Sequence, residues 1–386
     1  MSASNYPIPL APPPDISTDR RNDLLRHPSK MTLDQNMHVL TKGEMEGLRK
    51  QGFTQGLAQA VASNRHHFSL FMWIVDNSGS MNTSDGHKFV ETKNSTMVRS
   101  VPCSRWEELQ QTLSYHIRMS AVTRDATIFR LLNHPGAYYG DQIFSVAWPK
   151  SDDVSLARDV QNALNVVQKV RPGGVTPLTK HIDEIRVEVK NMVGQLSRTG
   201  KKVTIIIATD GIPTDEFGYE QKAEFIQALR SLEGLPLWVV IRLCTDDDDV
   251  VDFYNSLDDN IELSIEVLDD FEGEAEEVYQ HNPWLNYTLP LHRCREMGFF
   301  HRVFDMIDER PLSRSDLRDY ICLIFGDNGL DGMPDPTTDW DHFHRRVSDL
   351  VKKEKKQYNP ITKKCEPWIN MKVLNNVYGE SSCCIS

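Results

Sequence analysis

Short continuous apolar runs alternate with amphipathic stretches through the middle of the chain. FSLFMWIVD (68–76), ATIFRLL (126–132), VTIIIATD (203–210) and PLWVVIRLC (236–244) are rich in β-branched and aromatic residues and lack the alternation of a half-exposed strand. Runs of this kind fit strands covered on both faces. Between them, RWEELQQTLSYHIRMSA sets Trp106, Leu109, Leu113, Ile117 and Ala121 on one helical stripe, and LTKHIDEIRVEVKNMVGQL does the same with Leu178, Ile182, Ile185, Val189, Met192 and Leu196. Strand and helix alternating over roughly 200 residues predict an α/β fold: a doubly wound, mostly parallel sheet with helices on both faces.

Outside this region the period changes. TKGEMEGLRKQGFTQGLAQAVASN (41–64) spaces Met45, Leu48, Leu57 and Val61 as a helix would, with Gly47, Gly52 and Gly56 weakening it. Beyond 278, FFHRVFDMIDERPLSRSDLRDYICLIFG reads as two amphipathic helices broken at Pro311, with Ser313 or Ser315 as the second N-cap. The expected organisation is a disordered Pro-rich N-terminus (1–40), a helical lead-in (41–65), the α/β domain (66–270), a small helical extension packed on it (278–350) and a basic, flexible tail (351–386).

Composition narrows the class. The 386 residues are 39% hydrophobic and 25% charged, and no apolar stretch approaches the ~20 residues of a membrane-spanning helix. The N-terminal segment lacks the basic start and apolar core of a secretory signal, and the seven cysteines show no disulfide or zinc-ribbon spacing, so a reducing, cytoplasmic location is expected. The net charge of −12 is local: Asp246–Glu277 holds fifteen carboxylates and no Lys or Arg. The remainder is slightly basic, which gives no reason to expect nucleic-acid binding.

Open parallel sheets bind ligands at the carboxyl ends of their strands. Three polar groupings fall there: Asp76-x-Ser78-x-Ser80 after the first strand, GGVTPL with Thr176 before the long amphipathic helix, and ATDGIPTD with Asp210 after the most apolar strand. Asp, Ser and Thr also cap helices that follow strands, and any one of these residues could be a cap. Two carboxylates and three hydroxyls at matching strand ends point instead to a divalent cation. The donors are all oxygen, which selects Mg²⁺, Mn²⁺ or Ca²⁺ over zinc or copper, and so few acids suit an ion that keeps waters or an open position.

In DNSGS, GGVTPL and TDGIPTD, in that order, the chain resembles the von Willebrand factor type A (vWA) family with its metal-ion-dependent adhesion site, over roughly residues 66–270. The resemblance implies direct hydroxyl ligation by Ser78 and Ser80, an Asp76 that acts through bound water, and Thr176 and Asp210 in alternating direct and water-mediated contact. It also implies a non-enzymatic module whose sixth metal ligand is a carboxylate from a partner protein, and with the cysteine usage above the expected type is intracellular. Two rival classes are a metal-dependent hydrolase and a metal-independent structural interaction protein. The hydrolase would want a second carboxylate where Ser78 stands, and neither a Gly-x-Ser-x-Gly elbow nor a phosphate-binding Gly-rich loop is present.

Three further features bear on function. NTSDGHKFVETKNSTMVRSVPCS (82–104) is longer than the vWA pattern needs and is read as a specificity loop, with Asn77 bracing the turn before it. CTDDDDVVD (244–252) should emerge on the same edge as the metal loops, so a partner would need basic residues around its carboxylate. The last four residues, Cys383-Cys384-Ile385-Ser386, fit the C-a-a-X pattern for prenylation at Cys383, with Lys352, Lys353, Lys355, Lys356, Lys363 and Lys364 upstream. One lipid chain binds marginally, so the expected attachment is peripheral and reversible, at the cytosolic face of a membrane.

Overall fold

A computed structural model describes residues 40–64, 67–91, 98–257, 261–326 and 332–379. The Pro-rich N-terminal segment and Cys383 lie outside these residues. In chain order the elements are α1 (Lys42–Lys50), α2 (Gln55–Asn64), β1 (Phe68–Val75), β2 (Gly86–Glu91), β3 (Val98–Cys103), α3 (Arg105–Thr123), β4 (Thr127–Leu131), β5 (Ile143–Val146), α4 (Asp153–Lys169) and α5 (Leu178–Thr199). They continue as β6 (Lys202–Thr209), α6 (Lys222–Arg230), β7 (Leu237–Leu243), α7 (Asp248–Asn255), β8 (Ile265–Leu268), α8 (Phe271–His281), α9 (Leu289–Glu296), α10 (Arg302–Asp305), α11 (Arg314–Phe325), α12 (Trp340–Val351), β9 (Gln357–Asn359), β10 (Lys364–Glu366) and α13 (Met371–Tyr378).

The main sheet has six strands in the order β5-β4-β1-β6-β7-β8, parallel except for β5, which runs antiparallel to β4 at one edge. This is the doubly wound α/β fold. The chain builds outward from β1 through β4 and β5, then returns to the other side of β1 with β6. The direction of winding therefore reverses beside β1, the place where such sheets open a crevice at their carboxyl ends.

The four apolar runs form β1, β4, β6 and β7, and their strand interiors are buried on both faces. Phe71, Trp73 and Val75 of β1 join one core with Trp106, Leu109 and Leu113 of α3. The alternate residues Leu70, Met72 and Ile74 are equally buried on the opposite face, where α5 crosses β1. Ser104 starts α3 with a capping box, its hydroxyl accepting from the Glu107 N–H while the Glu107 carboxylate accepts from the Ser104 N–H.

Three expectations need correction. The segment 41–64 is two helices, broken at Gly52 with φ of +94°. A Cβ on Gly56 would lie 2.1 Å from the Gly326 nitrogen, so α2 approaches the end of α11 with backbone against backbone. The insert 82–104 is no free loop over its described length: β2 and β3 form an antiparallel ribbon laid on α3, with the Phe89 N–H donating to Gln111 Oε1 and the Gln111 amide to the Phe89 carbonyl. The tail is packed as far as 379: Tyr358, Trp368, Ile369 and Leu374 are buried in the core that contains Trp73. Among its lysines, Lys363 pairs with Glu272 at 2.5 Å and Lys352 with Asp349 at 3.3 Å. No helix among the described residues is long and apolar enough to cross a membrane.

Helices α8–α13 share that core, and their seam with the sheet is charged. Glu296 of α9 is fully buried between His116 of α3 at 2.8 Å, Arg293 at 2.6 Å, His292 at 3.4 Å and Arg242 of β7 at 3.4 Å. Burial alone would raise its carboxyl, but Arg293 and His292 hold it well below the usual range. A second cluster is oversupplied with acid. Arg295 bonds Glu274, Glu266 and Asp308, with Glu277 and Asp305 close by. One guanidinium cannot hold all of these ionised in a dry site. Burial, partly offset by Arg295, raises Glu274 to about 8 and Glu266 to about 7.

A carboxyl whose folded pKa is raised holds its proton longer in the native state, so its stabilising effect is lost as pH rises through the folded value. The native state then holds more protons than the unfolded chain from the ordinary glutamate value of 4.5 up to about 7 for Glu266 and about 8 for Glu274, so stability is expected to fall across that window, by up to about 1.4 kcal/mol per pH unit for each extra proton held, and to level off above it. Below about pH 7 His116 and His292, both depressed by burial from the ordinary 6.5, work in the opposite direction, since the unfolded chain takes up protons there that the native state does not, so the decline shows clearly only between about pH 7 and 8. Thermal melts across that interval should show the decline in the native protein and a flatter profile in Glu274→Gln.

Candidate metal centre

Parallel pairing of β1 with β6 sets Val75 against Ala208, and the ladder runs one bond further, from the Asp76 N–H to the Ala208 carbonyl at 2.9 Å. Asp76 and Asp210 thus leave adjacent strands at the same level. The Asp76 carboxylate is fully buried, accepting at one oxygen from the Ser78 N–H at 2.8 Å and at the other from the Thr209 hydroxyl at 2.7 Å. The Ser78 and Ser80 hydroxyls lie 2.9 Å apart, and Ser80 donates to Asp210 Oδ1 at 2.8 Å. Asp76, Ser78, Ser80 and Asp210 form one chain of oxygens, buried at Asp76 and exposed at Ser80.

Thr176 is held beside this chain by its backbone. Its N–H donates to the Thr214 hydroxyl and its carbonyl accepts from the Thr214 N–H, both at 2.9 Å, which fastens the loop before α5 to the loop after β6. On the other side the Gly173 N–H donates to the Asn77 carbonyl at 2.8 Å, and the Gly79 N–H to the Gly174 carbonyl at 3.2 Å. The Thr176 hydroxyl donates to no acceptor among the described residues. All three polar groupings of the sequence converge on one strand edge.

Asn77 is the brace. Its Oδ1 accepts from the Asn133 N–H at 2.8 Å, and its amide donates to the Asn133 carbonyl at 2.9 Å, pinning the loop after β1 to the loop after β4. The Asn133 amide then reaches the Val175 carbonyl at 2.7 Å. Gly174, at φ +89°, is required here, since a Cβ would fall 2.5 Å from Asn133 Oδ1.

The electrostatics are uneven. Burial first, then Asp210, pushes the Asp76 carboxyl up to about 6, and no cation among the described residues pairs with it. Burial raises Asp210 as well, against hydrogen bonds from Ser80 and Arg105. Arg105, the first residue of α3, pairs with Asp210 through Nη1 at 3.0 Å and grips Asp85 through Nε at 2.7 Å and Nη2 at 2.5 Å. Asp246, where the acidic run begins after β7, is raised by burial and by Asp270, Asp269 and Asp85, which sets this one acid near the Asp85 side of the centre. No sequence motif assigns a role to Arg105, Asp85, Asn133 or Thr209. Thr209 and Arg105 do stand directly beside quoted motif residues, in ATD and SRW.

The donor set fits a small divalent cation: oxygen atoms only, a buried carboxylate without a counter-charge, a second carboxylate next to it, and uncommitted hydroxyl capacity at Thr176. Neither a family model nor a curated protein matches the chain. No family is assigned. Among solved structures, the crystal structure of the SpRpn10 VWA domain matches with a TM-score of 0.33 at 10% identity, covering 52% of this chain and 88% of that one. That likeness is too low to carry an argument about the centre.

Truncating the brace tests whether the loops are held as described. Asn77→Ala leaves the Asn133 backbone N–H and carbonyl without their partner, which should lower stability by about 1–3 kcal/mol. Hydrogen exchange should then quicken in 77–80 and 133–136 while β6 stays protected.

Proposed function

We propose that this chain is a divalent-metal-dependent protein-binding module. In this reading Asp76, Ser78, Ser80, Thr176 and Asp210 hold Mg²⁺, with Mn²⁺ or Ca²⁺ as alternatives, and a carboxylate from a partner protein completes the site. The observation that carries it is the Asp76 carboxylate, buried and uncompensated at the foot of an oxygen chain whose other end, Ser80, faces solvent. An arrangement that served only to cap helices would have no use for a buried acid without a counter-charge beside a second carboxylate. The resemblance to vWA adhesion sites supports the same residues in the same order.

A bound ion would supply a Lewis-acidic position open to an incoming carboxylate. The chain's own residues do the rest: Asp76 and Asp210 offset the ion's charge, the hydroxyls fix its place, and the Asn77–Asn133 brace keeps the loops from spreading. Arg105 acts against the ion, because its guanidinium already draws on the charge of Asp210.

The test is thermal. Saturating Mg²⁺ or Mn²⁺ should raise the melting temperature of the native chain by a few degrees, since a ligand present at about 100 times its Kd stabilises by about 2.7 kcal/mol. Asp76→Asn removes a buried charge, and it should melt higher than the native chain in chelator yet show no rise with metal. No rise in the native chain would overturn the reading.

Arg105→Met supplies a second, opposite result. Removing a fixed positive charge next to the centre should tighten metal binding about tenfold, equivalent to about 1.4 kcal/mol. The same melting titration reads the shift in midpoint concentration.

A further inference from the structure

The loop that carries Asp210 does not end at the candidate centre. It continues through Thr214 into a tight turn whose tip is Glu216-Phe217-Gly218-Tyr219-Glu220. Phe217 is 78% exposed and Tyr219 74%, and the two glutamates that alternate with them are exposed as well. Two aromatic rings so far into water forgo burial that they could have had elsewhere, and large exposed aromatic side chains are enriched where proteins meet partners.

The rings are not on a loose excursion. Thr214 and Glu220 close the turn as an antiparallel bridge, and the Asp215 N–H donates to the Tyr219 carbonyl at 2.8 Å. The Asp215 carboxylate accepts from the Phe217 N–H at 2.8 Å and the Tyr219 N–H at 2.9 Å, so one side chain organises the whole tip. Gly218 takes φ of +89°, and a Cβ there would sit 3.6 Å from Val175, the neighbour of Thr176. The turn therefore stands against the loop that holds a candidate metal ligand.

We propose that this turn is a second contact on the ligand face and takes an arginine of the partner segment whose carboxylate reaches the metal. The carboxylate half rests on the metal reading above; the arginine half does not. The charge pattern selects the occupant. Glu216 and Glu220 pair with no cation among the described residues, and a further acid, Asp246, lies on the Asp85 side of the centre. An apolar partner would bury those glutamates without compensation, and an acidic one would be repelled. A guanidinium satisfies both features, stacking on an aromatic face while its N–H groups meet the carboxylates.

The experiment uses the full chain and tetra-arginine, tetralysine and Asp-tetra-arginine peptides carrying one fluorophore, titrated at 150 mM salt in Mg²⁺ or in chelator. Tetra-arginine should bind at least fivefold tighter than tetralysine in both media, and Phe217→Ser/Tyr219→Ser, two exposed substitutions, should abolish the difference. The added Asp should tighten binding only in Mg²⁺. Equal binding of the two cationic peptides, or an arginine preference that survives the double substitution, overturns the proposal and leaves the metal reading standing. An arginine preference that the double substitution abolishes, with no effect of Mg²⁺ on the Asp peptide, supports the turn and overturns the metal reading.

Discussion

The centre depends on one pairing: β1 and β6 lie parallel and in a register that ends both at the same level. Two carboxylates then face each other at the foot of a crevice, buried by the same strands that aim them. Like charges in a dry site are costly, and the protein meets that cost unequally. Asp210 has Arg105; Asp76 has only neutral donors. Every loop around the centre serves this arrangement, because Asn77, Asn133, Gly173 and Thr214 spend their polar groups tying loops to each other. A rigid oxygen cluster with an unmatched charge is the result.

Charge elsewhere in the fold follows the same rule with a different outcome. At Glu296 two arginines, Arg293 and Arg242, reach one carboxylate, which stays ionised, and Arg242 also pairs with Glu108 of α3, so the charges across the seam between α3, β7 and α9 are matched. At Arg295 acids outnumber the cation, and protons make up the deficit on Glu274 and Glu266. The strand-end centre is the third case. Its surplus charge lies next to solvent at Ser80, where an ion from outside can reach it.

Much of this was legible in the sequence. Continuous apolar runs gave β1, β4, β6 and β7, because a strand buried on both faces cannot hide its composition. Asp76, Ser78, Ser80 and Asp210 were readable as a group from their positions after β1 and β6, whereas Thr176 lies between α4 and α5 and joins them through the backbone bonds of its loop. Short edge strands were not: Ile143–Val146 and Ile265–Leu268 are four residues each, too brief for a period to show. The packed tail was missed because its anchors, Tyr358, Trp368, Ile369 and Leu374, are spread among lysines and bury one at a time. Asp85 and Arg105 were missed because their meeting requires the ribbon between them to fold back on α3, and nothing local announces it.

That ribbon changes how the centre is to be understood. Read as a loop, residues 82–104 would be a free arm beside the metal. Folded, the ribbon begins with Asp85, which grips Arg105, and its strand β2 places Phe89 against Phe271 of α8 and Tyr358 of β9. The His87 N–H donates to Glu108, which in turn pairs with Arg242. The cation that restrains Asp210 is therefore anchored at its far side to the C-terminal helical layer. Charge at the centre and packing of that layer are linked through two residues, Asp85 and Arg105. A shift of the ribbon would move the guanidinium before it moved any oxygen of the centre, since the oxygens are fastened to each other and Arg105 is fastened to the ribbon.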